Sequence, residues 1–288
     1  LAAIHGILLL DKPLGLSSNH AVRRAQRALG ADKAGHTGAL DPLATGMLPL
    51  VFGEATKIAG HLLGSRKAYA AEVRLGVSTT TDDAEGEVIA TAPADAVADA
   101  ALAQALARFV GRIRQRPPVY SALKQGGVPL YRRARRGEAV EVPEREVVVE
   151  SAVIRSREGD RVSMEITCGS GTYIRSIARD LGEALGCGAH LAGLRRLWVE
   201  PFQGAPMVAL DDVAGATLLT LEAALADWPR IDLDADETTA IRHGKTLNRG
   251  PADWFGRCRL YAADGVLIAL GERSDNGSIR VRRGLNLT

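Results

Sequence analysis

The segment Gly35-His36-Thr37-Gly38-Ala39-Leu40-Asp41-Pro42-Leu43-Ala44-Thr45-Gly46 constrains the fold more than any other stretch of this chain. Its glycines break any helical or regular strand pattern and allow turns that other residues resist. Pro42 disfavours helical backbone at Asp41 and pushes it toward an extended shape. The segment is therefore expected to be a loop that presents one acid, Asp41. Taken alone, its ordinary reading is an Asx-type turn before a proline, so the rest of the chain has to decide whether Asp41 does chemistry.

Around this loop the chain reads as alternating strands and helices. Ile4 to Leu10 is a short apolar run ended by Asp11-Lys12-Pro13, a buried strand. Ser17 or Ser18 caps a helix carrying Val22, Ala25 and Leu29 on one side and Arg23, Arg24 and Arg27 on the other, ended by Gly30. Glu54 to Leu63 is a second short helix. Lys67 to Gly76 alternates, with Tyr69, Ala71, Val73 and Leu75 on the inner face and Lys67, Glu72 and Arg74 assigned to the outer one. Thr79 to Glu87 is acidic, lacks the ligand order of a calcium loop, and reads as solvated surface. Asp99 to Ile113 has a helical apolar stripe. Glu146 to Arg155 and Arg161 to Cys168 form a hairpin about Gly159-Asp160. Thr172 is expected to cap a helix reaching about Leu185, with Tyr173 and Arg175 in its first turn. Leu191 to Leu197 reads as a short element, Leu197 to Phe202 as a strand, and Thr217 to Ala226 as a helix. A boundary is expected near Trp228-Pro229, dividing a domain of residues 1–228 from a small β-rich one of residues 229–288.

Hydrophobic content of 46% and charged content of 24% are those of a globular protein, and a net charge of +2 forces no global attraction to nucleic acid. Charge distribution is more telling. The region Arg112 to Arg136 holds Arg112, Arg114, Arg116, Lys124, Arg132, Arg133, Arg135 and Arg136 and no acid, with Tyr120 and Tyr131 interleaved. Such a run repels itself unless a polyanion neutralises it, and its aromatics offer stacking surfaces for unpaired bases. An RNA-facing loop is the expectation. The three cysteines are scattered, which argues against a disulfide framework and for a reducing, cytoplasmic setting. No zinc-ligand spacing, apolar run long enough to span a bilayer or secretory signal is visible.

Gly35 to Pro49 resembles the signature of the TruB family, the bacterial tRNA pseudouridine-55 synthases. Asp11-Lys12-Pro13, Tyr69, Pro118-Val119-Tyr120-Ser121-Ala122-Leu123-Lys124, Gly171-Thr172-Tyr173-Ile174-Arg175 and Leu194-Arg195-Arg196-Leu197 match in the family's order. The resemblance covers roughly residues 4 to 200 and is weak beyond Pro229. It implies an α+β pseudouridine synthase fold, a mixed, mostly antiparallel sheet flanked by helices with a cleft across it. It also implies a small C-terminal β-rich domain resembling PUA, an RNA-binding barrel.

By that resemblance Asp41 matches the catalytic aspartate, Arg175 the arginine that pairs with it, and Tyr69 the tyrosine that stacks on the target base and takes part in proton transfer. Tyr173 and Leu194 match pocket-lining positions, and His36 the residue that fills the space left by the extruded uridine. Lys12 matches a motif lysine with a structural role near the cleft. The implied reaction isomerises uridine 55 in the T-loop of tRNA, needs neither cofactor nor metal, and requires no protein partner, so a monomer is expected. The alternatives are a non-catalytic tRNA-binding or folding protein, a nucleotide-phosphate enzyme and a guide-RNA-dependent relative. The loop lacks the phosphate-binding lysine motif, and Asp41 would repel phosphate.

Overall fold

The computed structural model describes residues 4–287 apart from 122, 127, 131, 132, 134, 135, 137, 139–141 and 252, and at 124, 125, 128 and 129 it describes only the backbone. The elements run β1 (Gly6–Lys12), α1 (Ser18–Leu29), β2 (Ala34–His36), β3 (Ala44–Phe52), a 3-10 turn (Gly53–Ile58) leading into α2 (Ala59–Leu63), and β4 (Lys67–Leu75). Next come β5 (Val77–Thr79), β6 (Val88–Thr91), α3 (Asp99–Ala107), β7 (Gly111–Gln115), β8 (Lys124–Gln125), β9 (Val128–Pro129), β10 (Arg145–Glu158) and β11 (Arg161–Cys168). Then follow α4 (Ile174–Ala184), β12 (Ala189–Val199), β13 (Val208–Ala209), two further 3-10 turns (Leu210–Gly215, Leu221–Ala224), β14 (Arg230–Asp232), α5 (Ala235–Arg242), β15 (Leu247–Asn248), β16 (Gly256–Tyr261), β17 (Leu267–Arg273) and β18 (Ser278–Gly284).

The main sheet runs in the order β13-β1-β3-β12-β4-β11-β10-β7, with β2 added on β3. Only the β1–β13 and β3–β12 pairs are parallel, so the sheet is mixed and mostly antiparallel, as expected from the sequence. Its central strands are buried on both faces, which is why Ile7 to Leu10 is a continuous apolar run rather than an alternating one. Leu8 and Leu10 pack with Leu48, Leu50, α1 and α4 on one face, while Ile7 and Leu9 pack with Met47, Val51 and Ile58 on the other. The second sheet, β14-β16-β17-β18-β15, encloses a core of its own around Ile231, Cys258, Leu260 and Ile279. Its Tyr261, Leu267 and Leu270 instead join Ile7 and Leu9 under the main sheet.

Several sequence expectations are corrected. The glycine-rich loop is shorter than its glycines suggest, because β2 takes residues to His36 and β3 begins at Ala44. Gly46 lies inside a strand at φ +93, and a Cβ there would stand 2.2 Å from the Arg196 carbonyl oxygen. Its glycine serves the close approach of β3 and β12. The helix from Asp99 stops at Ala107, since Gly111 at φ +99 turns the chain into β7, where Ile113 pairs with Val147. Leu191 to Val199 is one strand, which absorbs its irregularity in two bulges. The stretch around Thr217 is extended where Leu219 exchanges hydrogen bonds of 2.8 Å with Ile7, leaving room for only the Leu221–Ala224 turn.

Candidate active site

Asp41 reaches its position through the elements around it. Ser17 caps α1, and the next residue, buried Ser18, fixes Leu40 by accepting from its N–H at 2.8 Å and donating to its carbonyl at 2.9 Å. The Gly15 N–H donates to the Pro42 carbonyl at 2.8 Å. The loop is thus fastened on both sides of Asp41 to the β1–α1 corner. Arg175 comes from the first turn of α4. Thr172 does not cap that helix, because its hydroxyl donates to the Gly169 carbonyl. Gln115 of β7 holds the helix start instead, accepting from the Tyr173 N–H at 2.8 Å and donating to the Tyr173 carbonyl at 3.0 Å.

Arg175 Nη2 stands 3.0 Å from an Asp41 carboxylate oxygen and Nη1 3.3 Å from Asp83. The guanidinium also donates to the carbonyls of Thr81 and Tyr120. One buried cation therefore bridges two carboxylates. The expectation that Thr79 to Glu87 is solvated surface holds for Thr80, Glu85 and Glu87, which are exposed, and fails at Asp82 and Asp83. Asp83 is buried, accepts from the Thr81 hydroxyl at 2.5 Å and the Glu85 N–H at 3.0 Å, and faces the site. Asp82 pairs with Arg179 at 2.8 Å.

The surrounding protein pushes the Asp41 carboxyl above its ordinary range, and Arg175 draws it back. With 48% of its side chain open to solvent, the upward push is weaker in the open cleft than it becomes when a ligand covers it. Lys12 is fully buried. It donates to the carbonyls of Pro13 and Leu16, and burial lowers its ammonium to about 8 while Asp41 opposes the shift. Lys67, assigned to the outer face from sequence, is in fact inside. It has the same strand parity as Tyr69, donates to the Leu63 and Ser65 carbonyls, and is likewise lowered by burial to about 8.

Asp41 and Arg175 line a cleft of about 310 Å³ together with Tyr69, Tyr173 and Leu194, so five expected site residues meet in one place. This is the size of a small ligand pocket. Lys12 and His36 lie outside its lining. His36 sits on β2, half-buried, with burial and Arg196 pushing its imidazole down and its Nδ1 without a partner among the described residues. Burial raises the Tyr69 phenol, and Arg196 beside it opposes this. Sequence reasoning missed Lys67, Asp83, Arg145 and Arg196. Arg196 is 1% exposed and donates to the carbonyls of Met47 and Gly38, so it moulds the Asp41 loop from below. The only early signal for it was its place in the Leu194-Arg195-Arg196-Leu197 match.

The basic segment is less uncompensated than its own composition suggests. Arg112 pairs with Glu146 at 2.8 Å, Arg114 with Glu144 at 3.3 Å, and Arg133 with Glu138 at 2.7 Å. Arg116 and Arg136 are 3.9 and 3.7 Å from Glu144 and Glu138. These acids lie just beyond the segment in sequence and return beside it. Such exposed pairs are weak, worth about 0–1 kcal/mol, and leave the arginines open to a stronger anion. Positions 132 and 135, and the side chain at 124, lie outside the described residues. Among the described residues no helix is long and apolar enough to cross a membrane.

Profiles of three families match the chain in succession. These are the TruB family pseudouridylate synthase N-terminal domain over residues 26–174, the tRNA pseudouridylate synthase B C-terminal domain over 175–230, and the pseudouridine synthase II TruB C-terminal region over 229–285. The chain is 53% identical over 292 aligned residues to a tRNA pseudouridine synthase B of Xanthomonas campestris pv. campestris strain B100, covering 98% of this chain and 94% of the relative. Its identity to the protein of that name from Xylella fastidiosa strain Temecula1 is 52%, covering 99% and 97%. In fold it resembles a chain of an H/ACA RNP bound to a substrate RNA containing 2′-deoxyuridine, at TM-score 0.73 and 23% identity over 98% of this chain and 86% of that one. A chain of a Cbf5-Nop10-Gar1 complex gives TM-score 0.72 and 25% identity over 97% and 84%. Likeness over 98% of this chain, with family profiles matched in succession along it, leads to one conclusion: the chain belongs to the TruB family of pseudouridylate synthases.

Proposed function

We propose that this chain isomerises uridine to pseudouridine at position 55, in the T-loop of tRNA, with Asp41 as nucleophile. The observation that carries the reading is the Asp41–Arg175 pair at 3.0 Å in a cleft lined also by Tyr69, Tyr173 and Leu194. The reaction breaks the bond from N1 to C1′ and makes one from C5 to C1′. A proton leaves C5 and one is gained at N1, and nothing is oxidised. A carboxylate can hold the intermediate, and neither redox cofactor nor ATP is required. As the base covers the cleft and excludes water, Arg175 becomes the group that keeps Asp41 ionised.

Tyr69, its phenol raised by burial, meets the substrate protonated. That suits stacking and hydrogen bonding to the base better than accepting a proton. The target base must leave its stack first, at a cost of a few kcal/mol. His36, held neutral by burial and Arg196, fills the vacated space. Lys12 braces the β1–α1 corner behind Asp41. The segment Arg112 to Arg136 clamps the T-arm, exchanging its glutamate partners for phosphates. Residues 229–288 form a PUA-like RNA-binding domain, and the protein acts in the cytoplasm as a monomer without guide RNA or obligatory partner. The names of the relatives, the cleft and the basic segment support this reading.

Purified protein with an unmodified tRNA transcript and no additive is expected to release tritium from 5-³H-uridine and to place one pseudouridine at position 55. Asp41→Asn should still bind tRNA and release none. Undiminished release by that variant would remove Asp41 from the chemistry. Binding without release by the wild type would leave only a tRNA-binding protein.

A further inference from the structure

Four cations line the cleft: Lys67, Arg145, Arg175 and Arg196. Three are committed to the protein. Lys67 gives its ammonium to two carbonyls, Arg196 bridges two more, and Arg175 holds two carboxylates and two carbonyls. Arg145 differs. Among the described residues it forms no ion pair, and its one polar partner is the Gly171 carbonyl, reached through Nη2. Its Nε is buried without an acceptor. Its guanidinium lies over the Tyr173 ring, 4.9 Å from the centroid.

The position of Arg145 is defined by the sheet. It begins β10 opposite Gln115, the residue that fixes the start of α4, and so lines the cleft beside Tyr173. A nucleotide entering the cleft brings a phosphodiester on each side of its sugar. Arg175 is matched by Asp41 and Asp83, and Lys67 and Arg196 are taken up by backbone carbonyls, so of the four cations Arg145 is the one left to meet a phosphate. A planar guanidinium in the cleft wall, with Nη1 uncommitted among the described residues and one face over an aromatic ring, suits a phosphate oxygen.

We propose that Arg145 binds a phosphodiester adjoining the target uridine, exchanging the Gly171 carbonyl for a phosphate oxygen while Tyr173 keeps its guanidinium flat. The assignment rests on the reading of the cleft as the uridine site. Arg145 is then a substrate-binding residue that neutralises one phosphate and turns the sugar so that its anomeric carbon faces Asp41.

The test pairs protein and RNA changes. T-arm stem-loops carry a neutral methylphosphonate at the linkage 5′ or 3′ of the target uridine, and each is assayed for binding and for single-turnover pseudouridine formation. Losing one charge-assisted contact should lower wild-type binding roughly tenfold on one of the two RNAs. Arg145→Met should lose about as much on the charged RNA and nothing further on that neutral one. Losses that multiply, or equal losses by Arg145→Met on charged and neutral RNA, would overturn the contact and leave a residue that only packs Tyr173. If Arg145→Met does not fold, Arg145→Lys carries the same cycle, and its sensitivity to the neutral linkage should be smaller than that of the wild type. A wild type that binds in this pattern yet forms no pseudouridine would defeat the enzymatic reading while the phosphate contact stands.

Discussion

Asp41 takes its chemistry from residues brought to it by the fold, Arg175 above all. The family motif located it, and elementary chemistry explained why a loop acid before proline could be aimed. The second carboxylate, Asp83, was not legible. An acid within Asp82-Asp83-Ala84-Glu85 reads as solvent-facing until a partner from elsewhere is known, and that partner, Arg175, lies on a distant helix. Lys67 was misread for a smaller reason: its parity already placed it beside Tyr69, but a lysine inside a sheet runs against its usual exposure. Its burial has a thermodynamic consequence. The Lys67 ammonium is lowered from 10.5 to about 8 in the folded protein, so between those values the unfolded chain binds more protons and stability rises with pH. Burial raises Cys168 and Cys258 from 9.0 to about 11, which works in the opposite direction over an overlapping window. The lysine contribution therefore has to be isolated by difference. Urea unfolding of wild type and Lys67→Met is expected to diverge in favour of the wild type from about pH 8 to pH 10.5. A constant difference would mean that Lys67 titrates normally in the fold.

At the scale of elements, apolar patterning located most strands and α1, yet failed wherever tertiary contact overruled local period. The apolar stripe from Asp99 to Ile113 is real, but it is shared by a helix and a strand, with Leu102 and Leu106 on α3 and Ile113 on β7. Leu218 and Leu219 look helical in sequence and instead lie along β1. Gly46 is the sharpest case. In a loop it would be a hinge. Between β3 and β12 it is a spacer, since Arg196 packs its backbone where a side chain would be. Gly46→Ala must either part the two strands or distort β3 at a positive φ, which costs on the order of 1–3 kcal/mol from backbone strain alone. We expect a lower urea midpoint and, because Arg196 also holds the Gly38 carbonyl, a larger loss of kcat than of tRNA affinity. Wild-type midpoint and turnover in this variant would show that the β3–β12 contact can relax.

At the scale of the molecule, the second sheet is joined to the first through more than chain connectivity. Tyr261, Leu267 and Leu270 share an apolar cluster with Ile7, Leu9 and Met47 of the main sheet. Polar ties border it: Lys57 donates to the Gly284 carbonyl at 2.8 Å, the Asn286 N–H donates to Glu54 at 2.8 Å, and Arg257 meets His61 at 2.7 Å. Sequence suggested a change of character near Trp228-Pro229, because short strands and Gly and Asp turns begin there. It offered no sign of the shared core, since which apolar residues of a sheet face a neighbour depends on how the two sheets dock. The shared core implies cooperative unfolding. Leu270→Ala should cost about 2–5 kcal/mol, as buried leucine truncations do. Variants keeping Trp198 alone, on β12, or Trp254 alone, beside the second core, provide separate reporters. In urea both reporters are expected to shift to lower midpoints together when Leu270 is truncated. A shift confined to the Trp254 reporter would mean that the second sheet unfolds by itself, and that the cluster beneath β1 transmits no stability between the two sheets.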